Sequence, residues 1–159
     1  AKEIRNSQGK GTCLIQNRKD LKRFADQNDM LYIQEKLDID RDLRIVWAGD
    51  RIVTAYWRIA PYGGFLNNLS AGGSIHFNDI PEEALLLIQS VCQTLNINYA
   101  GFDIAISEGH CYLLEYNLFF GTQALNEKKI PLNTIIYQYL LNQIIKNIPP
   151  QNPIIPRAA

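Results

Sequence analysis

The chain has 159 residues, with 16 Lys plus Arg balanced by 16 Asp plus Glu, so its formal net charge is zero. That length suits one domain, or one domain and part of another, with chain enough for a hydrophobic core, and no net field draws it to nucleic acid or an anionic membrane. Nearly half the residues are hydrophobic and a fifth are charged, an ordinary globular composition, with no run of transmembrane length and no signal-peptide pattern. The three cysteines, Cys13, Cys92 and Cys111, are far apart and outside any CxxC spacing. They read as reduced thiols of a cytoplasmic protein. The only methionine is Met30, and the chain opens inside the structured-looking AKEIRNSQGKG, so it reads as a piece of a longer protein.

Lys2 to Ile4 is too short to assign by itself. Arg5 to Gly11, RNSQGKG, is a polar loop, and Thr12 to Gln16, TCLIQ, reads as a short strand leaving it. A glycine-rich tip can lay backbone N–H groups on a phosphate, but this one lacks the spacing of a Walker A loop, and most Gly-x-Gly turns only turn. Asn17 can cap a helix from Arg18 to about Asn28, with Leu21, Phe24 and Ala25 on one face. Leu31 to Leu37 reads as a strand ending in charge, and Asp38 to Asp42, DIDRD, as a surface turn. Two alternating runs follow, Leu43 to Ala48 and Ile52 to Ile59, across the hairpin pair Gly49-Asp50. Leu43, Ile45 and Trp47 share one face; Asp42, Arg44 and Val46 share the other. On pattern alone Arg44 and Arg58 read as solvated strand charges.

Ala60 to Phe77 is rich in glycine and small polar side chains and is expected to be a long loop, a kind of segment that is usually functional or disordered. His76 and His110 have no partner at ligand spacing and read as incidental. Pro81 starts an amphipathic helix, followed by Glu82 and Glu83 at the positive end of the dipole, with a stripe of Ala84, Leu87, Ile88, Val91, Cys92 and Leu95. Asn96 to Asn98 turns the chain. Leu118 to Ile130 is expected to be a loop with two exposed phenylalanines. Pro131 begins a second helix in which Leu132, Ile135, Ile136, Tyr139, Leu140 and Ile144 keep helical spacing. The proline-rich tail from Ile148 is assigned no structure. Antiparallel runs with helices able to cover one face argue an α+β fold.

The most informative stretch is Ala100 to Asn117, AGFDIAISEGHCYLLEYN. Two β-rich runs flank Glu108-Gly109-His110, which reads as a hairpin loop. Pairing outward from three loop residues sets Ser107 opposite Cys111, Ala105 opposite Leu113 and Asp103 opposite Glu115, with Asn117 on the same face. At about 5 Å and an effective dielectric near 20, the two carboxylates repel by roughly 3 kcal/mol. A cation or a proton between them would offset this, and a hard divalent ion accepts carboxylate and amide oxygens. For the pair alone, a register one residue away with Glu115 toward solvent is the preferred reading. The rest of the chain reverses that preference.

Taken together, the residues resemble the RimK-type branch of the ATP-grasp ligases over roughly Lys2 to Ile145. The series is Lys2, SQGKG from Ser7, Gln34-Glu35, Asp42-Leu43-Arg44, Arg58, NLSAGG from Asn68, GFDI from Gly101 and EYN from Glu115, in the family's order and without a large insertion. The resemblance implies an α+β ATP-grasp fold, a mainly antiparallel sheet flanked by helices with a partial glycine-rich lid subdomain. Its expected divisions are residues 1–30 (lid), 31–147 (nucleotide- and metal-binding subdomain) and 148–159 (tail). It further implies that Lys2 contacts nucleotide phosphates and that Ser7, Gln8, Gly9, Lys10 and Gly11 close over them. Gln34, Glu35 and Lys36 would lie at the adenine hinge and Asp42 near the ribose. Asp103, Glu115 and Asn117 would hold magnesium, with manganese as a substitute, while Arg58 and Asn68 would face the reacting phosphoryl group.

The implied activity is ATP-dependent joining of a small-molecule or peptide carboxylate to an amine through an acyl phosphate. The implied partners are those two substrates, with no nucleic acid or membrane and with oligomeric state left open. The chain is expected to depart from the family in four respects: Leu66 stands where an Arg is usual, Asn6 where the lid has its first Gly, Phe119-Phe120 where the turn after Glu-x-Asn carries a Pro, and the family's amino-terminal domain and the first part of its lid domain are not among these residues. A catalytically degraded ATP-grasp domain with a regulatory or scaffolding role is the alternative. The chain alone is expected not to form an amide, because part of the family's site precedes it; amide product from these 159 residues unaided would refute that expectation.

Overall fold

The computed structural model describes residues 1–3, 11–59 and 73–147. Its elements are α1 (Arg18–Asp26), β1 (Arg41–Ala48), β2 (Arg51–Ile59), β3 (Ser74–His76), α2 (Glu82–Leu95), β4 (Tyr99–Ser107), β5 (His110–Asn117), α3 (Gln123–Glu127) and α4 (Leu132–Asn147). The five strands form one sheet in the order β3-β2-β1-β4-β5, and every neighbouring pair is antiparallel. Such a sheet with helices against it is the expected α+β arrangement.

Alternation along the strands separates two faces. On one, Leu43, Ile45 and Trp47 of β1, Trp57 of β2 and Ala100, Phe102 and Ile104 of β4 pack against Ala84, Ile88 and Cys92 of α2. On the other, Val46 and Tyr56 pack with Ala124 of α3, flanked by Phe77 and Phe120. β1 lies in the middle of the sheet, covered on both faces, and is buried from Asp42 to its end. Burial pushes the Cys92 thiol up to about 11, and all three cysteines are free. Among the described residues no helix is long and apolar enough to cross a membrane.

Several local expectations are met. Asn17 caps α1, its side-chain oxygen accepting from the backbone N–H groups of Lys19 (2.9 Å) and Asp20 (3.0 Å). The β1–β2 hairpin turns at Gly49-Asp50. Asn96 ends α2 in the left-handed conformation.

Others are corrected. Thr12 makes only an isolated bridge to Lys2, and Leu31 to Leu37 contributes only a second one, through Tyr32. Neither segment meets a continuous partner among the described residues, and a strand needs a ladder. β1 begins at Arg41, so Asp42 belongs to a buried strand and not to a surface turn. β3 takes the end of the expected long loop, whose residues 60–72 lie outside the described ones. Leu95, at the last turn of α2, is 64% exposed. Within the expected loop after β5, residues 123–127 form α3, and only Phe119 of the two phenylalanines is exposed. On α4 no residue is fully buried: Leu132, Ile135, Ile136 and Tyr139 of the expected stripe are half-buried, with Tyr139 against Gly49 of the β1–β2 turn, while Leu140 and Ile144 are exposed.

The β4–β5 hairpin shows how register is set. Its turn has two residues and not three: Glu108 (φ 51°) and Gly109 (φ 77°) both take positive φ, as a type I′ turn requires. Ser107 therefore meets His110, and Ala105 meets Tyr112. A bulge between Ile104 and Asp103 then leaves Leu114 unpaired and shifts the ladder by one, so Asp103 does meet Glu115 and Gly101 meets Asn117. A Cβ on Gly109 would meet open space, so Gly109→Ala isolates the backbone cost of its positive φ. Urea unfolding should show a loss of about 1 kcal/mol, with Gly109→Asn losing less; an unchanged midpoint for the alanine variant would mean the turn relaxes to another type.

Candidate functional site

The face of the sheet opposite α2 carries four charged side chains at its centre. Asp42 and Arg44 lie two residues apart on β1; Arg58 is Asp42's partner on β2, and Asp103 is Arg44's partner on β4. Period two on one strand and direct pairing on its neighbours are enough to gather all four. They are buried, at 5–8% exposure, which overturns the reading of Arg44 and Arg58 as solvated strand charges. Arg58 grips Asp42 with two hydrogen bonds, Nε to Oδ1 and Nη2 to Oδ2, both 2.7 Å, and its Nη2 also lies 2.8 Å from Asp103 Oδ2. Arg44 donates from Nη2 to the same Oδ2 at 3.1 Å, while its Nε pairs with Asp103 Oδ1.

Two guanidiniums and two carboxylates cancel in charge. Each ion loses water on burial, a cost of several kcal/mol that only close opposite charges and satisfied hydrogen bonds offset. Burial pushes the Asp42 carboxyl up while the hydrogen bonds from Arg58 pull it down. Burial likewise opposes the charge on Arg58, but its hydrogen bonds to Asp42 and the charge of Asp103 outweigh it and hold the guanidinium above its usual range. Burial also raises the Tyr56 phenol on the same face. The repulsion between Asp103 and Glu115 that the sequence suggested is thus offset inside the protein by Arg44 and Arg58.

Outward from this cluster, Glu115 is exposed and Asn117 half-buried. Asn117 donates from Nδ2 to Glu115 Oε1 at 3.0 Å. The expected trio of Asp103, Glu115 and Asn117 therefore shares a face, with Asp103 at its buried edge. Among the described residues no group of three or more His, Cys, Asp and Glu side chains could hold a metal by itself. The donors here are two carboxylates and an amide.

The other expected site residues divide. Lys2 pairs with Thr12 and Tyr32, its N–H donating to the Tyr32 carbonyl at 2.9 Å, and Gly11 takes φ 71° and accepts from the N–H of Glu3. Gln34 is half-buried, and Glu35 and Lys36 are exposed in an irregular segment where Lys36 lies 4.0 Å from Asp38. Asp42, expected near a ribose, has both oxygens engaged by Arg58. Ser7, Gln8, Gly9, Lys10 and Asn68 lie outside the described residues. The sequence reading gave no role to Arg44 or Phe120. Arg44 carried one usable signal, its place two residues from Asp42, but the β1–β4 pairing that sets it on Asp103 is a long-range contact.

Comparison with known proteins fits this fold. The solved structure of the macrocyclase MdnC bound with precursor peptide MdnA, from Microcystis aeruginosa MRC, superposes with a TM-score of 0.53 at 19% identity, over 69% of this chain and 35% of that one. The ATP-grasp ligase PsnB, in a complex with a precursor variant, Mg and ADP, gives 0.51 at 19% identity over 70% and 34%. These likenesses define the fold as that of ATP-grasp ligases. The family model for the RimK-like ATP-grasp domain matches residues 1–140, and the chain belongs to that family. Among relatives, a probable alpha-L-glutamate ligase of Nitrosococcus oceani is 33% identical over 131 residues, 78% of this chain and 43% of the relative. The ribosomal protein bS6–L-glutamate ligase of Escherichia fergusonii is 28% identical over 132 residues, 79% and 44%. The chain thus spans less than half the length of these curated relatives.

The buried cluster has a measurable energetic signature. Arg58→Met strands Asp42 without its partner and should cost about 3–5 kcal/mol in urea unfolding. Adding Asp42→Leu should recover part of that loss. A single-variant loss under about 1 kcal/mol would mean that the pair behaves as a hydrated surface bridge.

Proposed function

We propose that the protein carrying this chain is an ATP-dependent carboxylate–amine ligase, and that the chain supplies the nucleotide- and metal-binding part of its site. The observation that carries this reading is the meeting of Asp103, Glu115 and Asn117 on one sheet face beside Arg44 and Arg58, in a chain of the RimK-like ATP-grasp family. The donor set fits a hard divalent ion: all its oxygens come from carboxylates or an amide, and Glu115 and Asn117 already touch at 3.0 Å. Magnesium keeps water and phosphate oxygens in its shell, so two or three protein oxygens suffice. When bound, it would neutralise charge on the transferring phosphoryl group.

The chain's own residues have separable tasks. Glu115 and Asn117 would hold the ion from the solvent side, and Asp103 would do so from the buried side, with two guanidiniums against it. Arg58, kept charged by its surroundings, contributes positive potential where phosphate oxygens gather. Asp42 fixes the Arg58 fork, so the cation is positioned before substrate arrives. Lys2 and the glycine-rich segment through Gly11 would cover the phosphates, with Asn68 toward the reacting end and Gln34, Glu35 and Lys36 toward the base. The carboxylate substrate attacks the γ-phosphorus of ATP, breaking its bond to the β–γ bridging oxygen and releasing ADP, to give an acyl phosphate; the amine then attacks the acyl carbon, loses a proton and expels phosphate to leave an amide. The names of the relatives point to L-glutamate as one of the two compounds joined. We infer a cytoplasmic location from the three free cysteines, Cys13, Cys92 and Cys111.

Phosphate release from ATP tests this. With the full-length protein, magnesium, L-glutamate and a panel of peptide and small-molecule carboxylates, release should need a matched acid and amine, and Glu115→Gln should lower it by about two orders of magnitude. ATP binding without release on any pair would favour the alternative of a degraded, non-catalytic ATP-grasp domain.

A further inference from the structure

The described part of the segment after β5 does more than connect to α3. Phe120 turns back over the sheet beside Gly101: a Cβ added to Gly101 would lie 2.9 Å from the Phe120 ring and 3.0 Å from Arg44 Nη1. Ring and guanidinium therefore share the space that a glycine leaves. Arg44 Cζ is 6.0 Å from the Phe120 centroid, within the range of a cation–π contact. Tyr99 stacks on the same ring at 5.4 Å and 30°. Arg44 is the one of the two Asp103 partners that Asp42 does not also hold. Its side chain is long and flexible, and Phe120 stands on the side of it that lies over Gly101.

We propose that Phe120 is a positioning residue for the metal-binding carboxylate, acting through Arg44 on Asp103. This rests on the ligase reading of the site. The ring keeps the Arg44 guanidinium on Asp103, and so fixes the orientation of a carboxylate that stands directly opposite Glu115 on the next strand. Phe119 provides an internal control, since it is the adjacent residue of the same type and is 97% exposed. Glycine at 101 belongs to the same device, because any side chain there would push ring and guanidinium apart.

The test is titration of ATP into the full-length protein at a series of magnesium concentrations, with a magnesium-free series beside it. Phe120→Leu keeps apolar volume but removes the π face, and it should raise the magnesium concentration for half-maximal binding about five-fold, the scale of one partly buried cation–π contact. Magnesium-free binding should not move. Phe120→Tyr restores the ring and should restore the wild-type requirement, Phe119→Leu should change nothing, and Phe120→Leu should add no further loss to Arg44→Lys. A magnesium requirement unchanged in Phe120→Leu, an equal loss in the leucine and tyrosine variants, or additive losses with Arg44→Lys would overturn the assignment while leaving the ligase reading intact. If the wild-type protein showed no magnesium-dependent ATP binding, the ligase reading would fail and this inference with it.

Discussion

An aspartate near the centre of an antiparallel sheet is costly unless cations reach it. Asp103 is 5% exposed, and the structure around it follows from meeting that cost. Arg44 reaches it from the neighbouring strand and Arg58 from the strand beyond. Arg58 reaches that far only because its fork is anchored on Asp42, directly opposite on β1. Remove Arg58 or Asp103 and a buried charge, Asp42 or Arg44, is left without its partner; remove Arg44 or Asp42 and the balance of two cations and two anions is lost. The order of three strands, β2-β1-β4, is thus written into one charge-balanced network.

The two sheet faces divide the work. The face toward α2 is apolar and carries the packing, with Leu43, Ile45, Phe102, Ile104 and Ile88 all fully buried. That side can hold the strands rigid whatever happens opposite. The other face combines a small apolar cluster around Val46 and Tyr56 with the charges, and it is covered by α3 and Phe120. A site on regular strands with a rigid layer behind it is held more precisely than one on loops. Glu115 and Asn117 sit just where this ordered face meets solvent.

Much of this was legible in the sequence, for reasons that differ by residue. Period-two alternation gave the β1 faces, and Asn17 and Asn96 marked helix ends through ordinary capping chemistry. The opposition of Asp103 and Glu115 was reached through two compensating errors: the turn has one residue fewer than expected, and the bulge at Leu114 adds one back. A single one of those differences would have put Glu115 on the other face. Hidden from the sequence were the features that depend on distant pairing. Nothing local to Arg44 or Arg58 says that β4 lies beside β1 or that both guanidiniums point at one carboxylate. Helical spacing on α4 gave the half-buried Leu132, Ile135, Ile136 and Tyr139 but not where that face ends, since Leu140 and Ile144 keep the same spacing and are exposed.

The most direct test is anomalous diffraction from crystals of the full-length protein grown with ADP and manganese. The account places the ion against Glu115 and Asn117, over the Asp103 carboxylate, on the sheet face away from α2. An ion bound on the opposite side instead, for example among Asp38, Asp40 and Asp79 around the cavity beside Trp57, would contradict it.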